Sequence, residues 1–316
     1  MTRDVLGAVA ATLLCGACFV HDGVGSVMAA EPAPPGGEAL RVLLTTSELV
    51  VGRNRLGFGL ARNDRLLVDV AVLVRVYDIR DSRARLIDEA PVPYHPLEVV
   101  EQGQRVHIHP DGTPHVHGAA TDVLGVYAAQ VTFPRSGPWG LEVLARGAGG
   151  AVESTRLRID VLEVPRAPLP GHPAPRSRNP IASDVKDLAA IDSSEPPDPR
   201  LHQTRIADAI AQGRPQVIVF ATPKYCTSRV CGPVVDVVRT LIPRYGDRVA
   251  FIHQEIWSGP GQEFTPTVQE WNLRSEPWIF LVDGHGVIRA RFEGLTTRRE
   301  IEAALTEMLR PQSPSR

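Results

Sequence analysis

Two cysteines, Cys226 and Cys231, and four histidines, His107, His109, His115 and His117, are the residues whose types and spacing could do chemistry in this chain. A close thiol pair can cycle between dithiol and disulfide, passing two electrons through a mixed disulfide with another thiol pair. The spacing constrains where such a pair can lie. On a regular helix residues five apart have Cα atoms about 8 to 9 Å apart, whereas a disulfide needs less than about 7 Å. Both cysteines therefore cannot sit in regular helix and be bridged. Pro233 is tolerated in the first turn of a helix and not further in. It predicts a helix starting at Gly232 or just before, with Cys226 in the preceding loop and Cys231 near the helix N-terminus. The helix dipole there, with Lys224 and Arg229 nearby, favours the thiolate. An inert disulfide pinning the loop is the plainer alternative.

The histidines fall in Val106-His-Ile-His-Pro-Asp-Gly-Thr-Pro-His-Val-His-Gly118. Each His-x-His places two imidazoles on one face of a strand, and the Pro110-Asp111-Gly112 turn can fold the halves together. Four converging imidazoles suit Cu(II) or Zn(II). This would be a binding site before a catalytic one, since no nucleophile or general base stands beside it; the plain reading is a polar surface loop. After the cysteines only His253 and His285 remain. His253 ends a strand and reads as a core histidine, and His285 reads as a turn residue.

These groups need elements to hold them. The chain's 316 residues suffice for two ordinary domains, and 43% apolar with 22% charged residues is the balance of a folded globular protein. A formal net charge of −2 gives no electrostatic reason to expect nucleic acid or anionic lipid as partner. Residues 1–30 read as a signal peptide: Arg3, an apolar run from Val5 to Val20 too short for a span, then small residues before Glu31. Export follows, to the periplasm or the cell surface. Retention of that run, or a lipid on Cys18, would attach the protein to a membrane through its N-terminus. Cleavage near Ala30 removes Cys15 and Cys18 and leaves Cys226 and Cys231 as the mature chain's cysteines, which in an exported protein suggest a disulfide or redox pair.

Residues 40–164 show period-two segments (Arg41 to Leu44, Leu66 to Tyr77, Gly125 to Phe133, Trp139 to Leu144, Thr155 to Val164) broken by turn residues, which predicts an antiparallel, immunoglobulin-like β-sandwich. Phe133 to Trp139 reads as a strand, a tight turn and a strand with a buried aromatic. Residues 165–199, rich in Pro, Ser and charge, predict a semi-rigid linker. From 200 to 310 helices alternate with strands. A helix covers about Gln203 to Ala211, and strand Gln216 to Ala221 follows. A helix with Val234, Val235, Val238, Leu241 and Ile242 on one face comes after the cysteines. Next are strand Val249 to His253, a helix around Thr267 to Trp271, strands Trp278 to Val282 and Val287 to Phe292 joined by Asp283-Gly-His-Gly286, and a last helix capped by Thr297 and Glu300. That order predicts an α/β sheet ending in an antiparallel hairpin.

At this point the C-terminal 110 residues resemble thioredoxin-like proteins. Strand Val217 to Phe220 runs through Ala-Thr-Pro-Lys-Tyr into Cys226, as the family's central strand runs into an aromatic and its first cysteine. Trp271 to Leu281 looks like the segment carrying the family's cis-proline, here Pro277, which in the family abuts the sulfurs and offers backbone to a peptide. The resemblance implies Cys226, Cys231 and Pro277 as catalytic residues and Tyr225, Glu276 and Trp278 as substrate contacts. Cys226 matches the family's first cysteine by its distance from the strand and is favoured as the attacking thiol, with Cys231 resolving. Because Cys231-Gly232-Pro233 copies the family's Cys-Gly-Pro, either sulfur could serve. Departures from the pattern are the four intervening residues, where the family has two, and Val219, which stands where thioredoxins keep a buried acid. Sco-type copper-assembly proteins, also thioredoxin-like, share two close cysteines with proline after the second and add a distal histidine.

The leading expectation is an extracytoplasmic thiol-disulfide oxidoreductase acting on cysteine-containing proteins and requiring no cofactor. The rival is a copper-binding or copper-delivery protein using the histidines, the cysteine pair or both, with copper or zinc as the ion.

Overall fold

The computed structural model describes residues 40–310 except 64, 82, 98–104, 109–113, 118–124, 148, 227–229 and 259–262. The segment read as a signal peptide, His109 and Arg229 lie outside the described residues. The fold is mostly β-sheet.

The first strands are β1 (Leu40–Leu44), β2 (Gly52–Arg62), β3 (Arg65–Leu66), β4 (Ala71–Asp78), β5 (Arg85–Pro91) and β6 (Tyr94–Pro96). They are followed by β7 (Arg105–Ile108), β8 (Pro114–His117), β9 (Gly125–Phe133), β10 (Gly137–Arg146) and β11 (Val152–Val161). One sheet has the order β1-β2-β9-β6 with β3 on β2, a second the order β11-β10-β4-β5, and β7 pairs with β8. Both larger sheets contribute to one core, with Leu56, Phe58 and Val131 from the first and Val74, Trp139 and Leu141 from the second. The turn after Phe133 needs φ +91° at Gly137, a conformation that costs glycine little. It delivers Trp139 fully buried against Phe133, ring centroids 5.5 Å apart. The indole N–H donates to the Arg135 carbonyl at 3.2 Å, which satisfies its one polar atom.

Helix α1 (Ile206–Ala211), strand β12 (Gln216–Phe220), helices α2 (Cys231–Arg239) and α3 (Ile242–Tyr245), strand β13 (Ala250–Gln254) and helix α4 (Pro266–Glu270) follow. Strands β14 (Trp278–Val282) and β15 (Ile288–Glu293) and helix α5 (Arg298–Met308) complete the chain. They build a sheet of order β13-β12-β14-β15, in which β12 runs parallel to β13 and antiparallel to β14. All of β12 and β14 is buried, as their unbroken apolar runs require of strands covered on both faces. Alternation along each strand separates two cores. Val217, Val219, Ile279 and Leu281 meet α2 and α5, while Ile218, Phe220, Trp278 and Phe280 meet α1 and Trp271. The single helix expected after the cysteines is divided, because Pro243 cannot sit inside a helix and instead starts α3. The helix expected from Gln203 starts at Ile206, whose N–H donates to Asn179 Oδ1 at 2.7 Å.

Residues 165–199, expected to be an extended linker, lie on this sheet instead. Gly171 N donates to Ile288 O at 2.8 Å, Ile288 N to His172 O at 3.0 Å and Ala174 N to Gly286 O at 2.8 Å, so the segment borders β15. Trp271 Nε1 donates to Ser177 Oγ at 3.0 Å. Ala167, Ala174, Asn179, Asp192, Ser194 and Asp198 are buried. The segment is fastened by backbone and polar contacts, which leave no apolar period in a sequence.

Candidate functional site

Cys226 and Cys231 form a disulfide with Cα atoms 6.1 Å apart. Cys231 opens α2, and Cys226 follows the turn in which Tyr225 N donates to Thr222 O at 3.2 Å. Both cysteines are buried in the core that Val219 and Ile279 also line. The helix position follows from Pro233, which occupies the first turn of α2.

A Glu276 carboxylate oxygen lies within 4.8 Å of both sulfurs. Its Oε2 accepts from Thr222 N at 3.2 Å and its Oε1 from Trp257 Nε1 at 3.2 Å. Burial pushes its pKa up to about 7, against the lowering effect of the two donors. Near neutral pH this group can hold or release a proton beside the sulfurs. Val219 does face the cysteine side of the sheet without an acid; the carboxyl comes instead from the loop ahead of β14. The peptide between Glu276 and Pro277 is cis.

Tyr225 is half-buried beside Cys226. Trp278, expected among the substrate contacts, is 2% exposed. Alternation puts its ring on the face of the sheet opposite the cysteines, stacked on Phe280 at 5.7 Å with its N–H on Ser275 Oγ at 3.0 Å. Its backbone is held between Phe220 of β12 and Glu293 of β15, so neither its ring nor its main chain faces the sulfurs as a substrate contact would. Lys224 pairs with Glu195 at 3.9 Å. A cavity of about 460 Å³, lined by Trp257, Phe264, Leu273 and Arg274 among others, shares Trp257 with Glu276. Trp257 and Phe264 stack at 4.4 Å in its wall.

The sequence reading missed Asp192 and His202. With His253 they form a second cluster in which one ligand atom from each residue lies within 4.8 Å of the others, all three residues being buried. Asp192 Oδ2 is 3.1 Å from His202 Nε2 and Asp192 Oδ1 is 3.4 Å from His253 Nδ1. Burial holds the His253 pKa down to about 4, outweighing the pull of Asp192. Asp192 stays ionised: burial opposes its charge, but the His202 hydrogen bond and the N–H groups of Ser194 and Asp198, at 3.0 and 2.9 Å, outweigh it. The burial of His253 agrees with its reading as a core histidine, but Asp192 comes from the supposed linker and His202 from just after it, where nothing in the sequence marked them. His285 lies in the turn between β14 and β15, where its N–H donates to Asp283 Oδ1 at 2.9 Å.

In the β7-β8 pair the backbone register sets His107 opposite His115 and Arg105 opposite His117.

No family model matches this chain, and no curated protein matches it. Among solved structures it is similar to the sporulation control protein Spo0M from Bacillus subtilis, at 12% identity with a TM-score of 0.20. That match covers 40% of this chain and 49% of the other, so it spans about half of that protein's length.

Proposed function

We propose that residues 200–310 are a thioredoxin-like thiol-disulfide oxidoreductase, exported from the cytoplasm and acting on cysteine pairs of other proteins, with an immunoglobulin-like sandwich ahead of it. The observation that carries this reading is the Cys226–Cys231 disulfide at the head of α2 with the Glu276 carboxyl beside both sulfurs. An inert structural disulfide gains nothing from a carboxyl whose pKa burial brings to about 7, whereas thiol exchange must move protons near neutral pH.

In the reduced protein the Cys226 thiolate attacks one sulfur of a substrate disulfide. A mixed disulfide forms and the other substrate sulfur leaves as thiolate. Glu276 takes the proton from Cys231, whose thiolate then attacks Cys226 Sγ and releases the second substrate sulfur. Two electrons pass to the substrate, the Cys226–Cys231 disulfide is restored, and the proton on Glu276 is available to a departing thiolate. Oxidation of a substrate dithiol is the same sequence reversed. Tyr225 precedes Cys226 and Pro277 follows Glu276 in the chain, and in this reading they are the groups that meet a peptide.

Mass-mapped thiol trapping in graded redox buffers tests this. Interconversion of Cys226 and Cys231 between dithiol and disulfide at potentials of the extracytoplasmic range supports it. A pair that stays oxidised throughout the range reduces the disulfide to a staple.

A second reading, copper binding by the histidine strands, draws support from the pairing of His107 with His115. Stoichiometric Cu(II) binding lost on changing His107, His109, His115 and His117 to Ala would favour it.

A further inference from the structure

The disulfide chemistry leaves the Asp192, His202 and His253 cluster unused. His253 Nε2 lies 2.8 Å from the Ala221 carbonyl oxygen, a contact that requires the proton on Nε2. The neutral ring therefore presents a bare Nδ1, buried and without a hydrogen-bond partner, 3.4 Å from Asp192 Oδ1. A lone pair set against a carboxylate oxygen in a dry interior is unfavourable unless positive charge lies between them. Protonating the ring would supply that charge, but His253 is completely buried, and burial disfavours an imidazolium. On the other side of the same carboxylate, His202 Nε2 stands 3.1 Å from Oδ2, and His202 Nδ1 is buried without a partner.

We propose that Asp192, His202 and His253 bind one divalent transition-metal ion of the zinc class. Three arguments converge on that chemistry. Two imidazoles and one carboxylate are a donor set that zinc accepts. A tetrahedral ion with bonds of about 2.0 to 2.2 Å holds its ligands roughly 3.3 Å apart; each imidazole stands near that spacing from one carboxylate oxygen, His253 Nδ1 3.4 Å from Oδ1 and His202 Nε2 3.1 Å from Oδ2, and one ligand atom from each residue lies within 4.8 Å of the others. Finally, two of the three ligands have the outer contacts that orient metal ligands: Ala221 O on His253, and the N–H groups of Ser194 and Asp198 on Asp192, while His202 Nδ1 has none.

The ion would be structural. Asp192 and His202 come from the stretch that leads into α1, and His253 from β13, so the site fastens that stretch to the edge of the sheet. Lys224 N donates to Ser193 Oγ at 3.2 Å, which sets the fastening beside the turn that carries Cys226. The site shares no residue with the disulfide or with the histidine strands, and it stands or falls independently of the redox reading.

The full chain, oxidised so that no thiolate is free and with His107, His109, His115 and His117 changed to Ala, isolates the cluster. After chelation, Zn(II) or Co(II) alone is added. About one equivalent should bind per chain, with the Co(II) form showing tetrahedral ligand-field bands and no sulfur charge-transfer band. His202→Ala should weaken binding by more than about 100-fold, beyond what loss of an outer contact costs, and His253→Gln similarly. The parent protein alone decides the matter if those variants fail to fold. Absence of one-equivalent binding to it overturns the proposal, as does undiminished affinity in both variants.

Discussion

Arg55 Nε lies 2.7 Å from Glu300 Oε1, joining β2 to the first turn of α5 across 245 residues of sequence. The guanidinium spends its other donors on Glu300 Oε2 at 3.2 Å, Leu295 O at 2.8 Å and Glu293 O at 3.2 Å. Glu300 also completes the cap at Thr297. Both side chains are largely buried, at 9% and 14% exposure. Removing one partner of such a pair strands the other's charge, whereas removing both does not. Arg55→Ala should therefore cost about 3 kcal/mol in guanidinium unfolding, and the double variant Arg55→Met with Glu300→Gln much less. Equal losses in the two would show that Glu300 does not depend on Arg55.

The same seam brings Gly294 against the Thr45 carbonyl. A Cβ at Gly294 would sit 2.1 Å from Thr45 O, at a φ of +74°. Gly150 has a similar φ, +78°, with nothing within 4 Å of its Cβ position. Gly150→Ala should lose about 1 kcal/mol from backbone strain alone. Gly294→Ala should lose distinctly more and become sensitive to limited proteolysis, because the two backbones must part. Matching losses for both variants would argue that the seam is loose.

What could be read from the sequence, and what could not, divides along physical lines. Continuous apolar runs gave β12 and β14, alternation gave β9 and β10, and Pro233 fixed the start of α2. Strand β2 escaped notice although Leu56, Phe58 and Leu60 alternate inward, because Gly57 and Gly59, residues poor in strands, fill the positions between them and Asn54 points inward, where it bonds to Val50 O and Gly52 O. The stretch 165–199 carries few large apolar residues, so a search for periodicity sees a linker. Its attachment rests on backbone hydrogen bonds, the Asn179 cap and the Asp192 carboxylate, none of which leaves a pattern. Glu276 could be placed near the cysteines only through the resemblance at Pro277, and its burial could not be seen at all.

The Glu276 carboxyl makes stability depend on pH in a definite direction. Its ordinary value of 4.5 is raised to about 7 in the folded protein by burial. A group raised in this way contributes stability that is fully present below the unfolded value and is lost as pH climbs through the folded one. At 1.36 kcal/mol per unit, the span from 4.5 to about 7 is worth about 3 kcal/mol at most. Urea midpoints of the oxidised protein should fall between pH 5 and 8, a trend to which Glu255, pushed up to about 8 by burial, also contributes, and Glu276→Gln should make the slope shallower. Parallel profiles for the two proteins would place the carboxyl in solvent.

Single cysteine variants assign the two sulfurs. If Cys226 attacks and Cys231 resolves, Cys231→Ser should accumulate a mixed disulfide with a cysteine-containing substrate, and Cys226→Ser should not. Glu276→Gln should leave the first step intact and slow resolution by tenfold or more above pH 7, since a positioned base typically contributes about 10² to 10⁴. Below pH 6 wild type and Glu276→Gln should converge, because there the carboxyl is protonated and can accept nothing. Stopped-flow decay of the mixed disulfide, followed from pH 5.5 to 8.5, separates the two limbs. A rate deficit of the same size at every pH would make Glu276 a packing residue, while accumulation of the adduct on Cys231 would reverse the roles of the cysteines and leave the carboxyl beside the attacking sulfur.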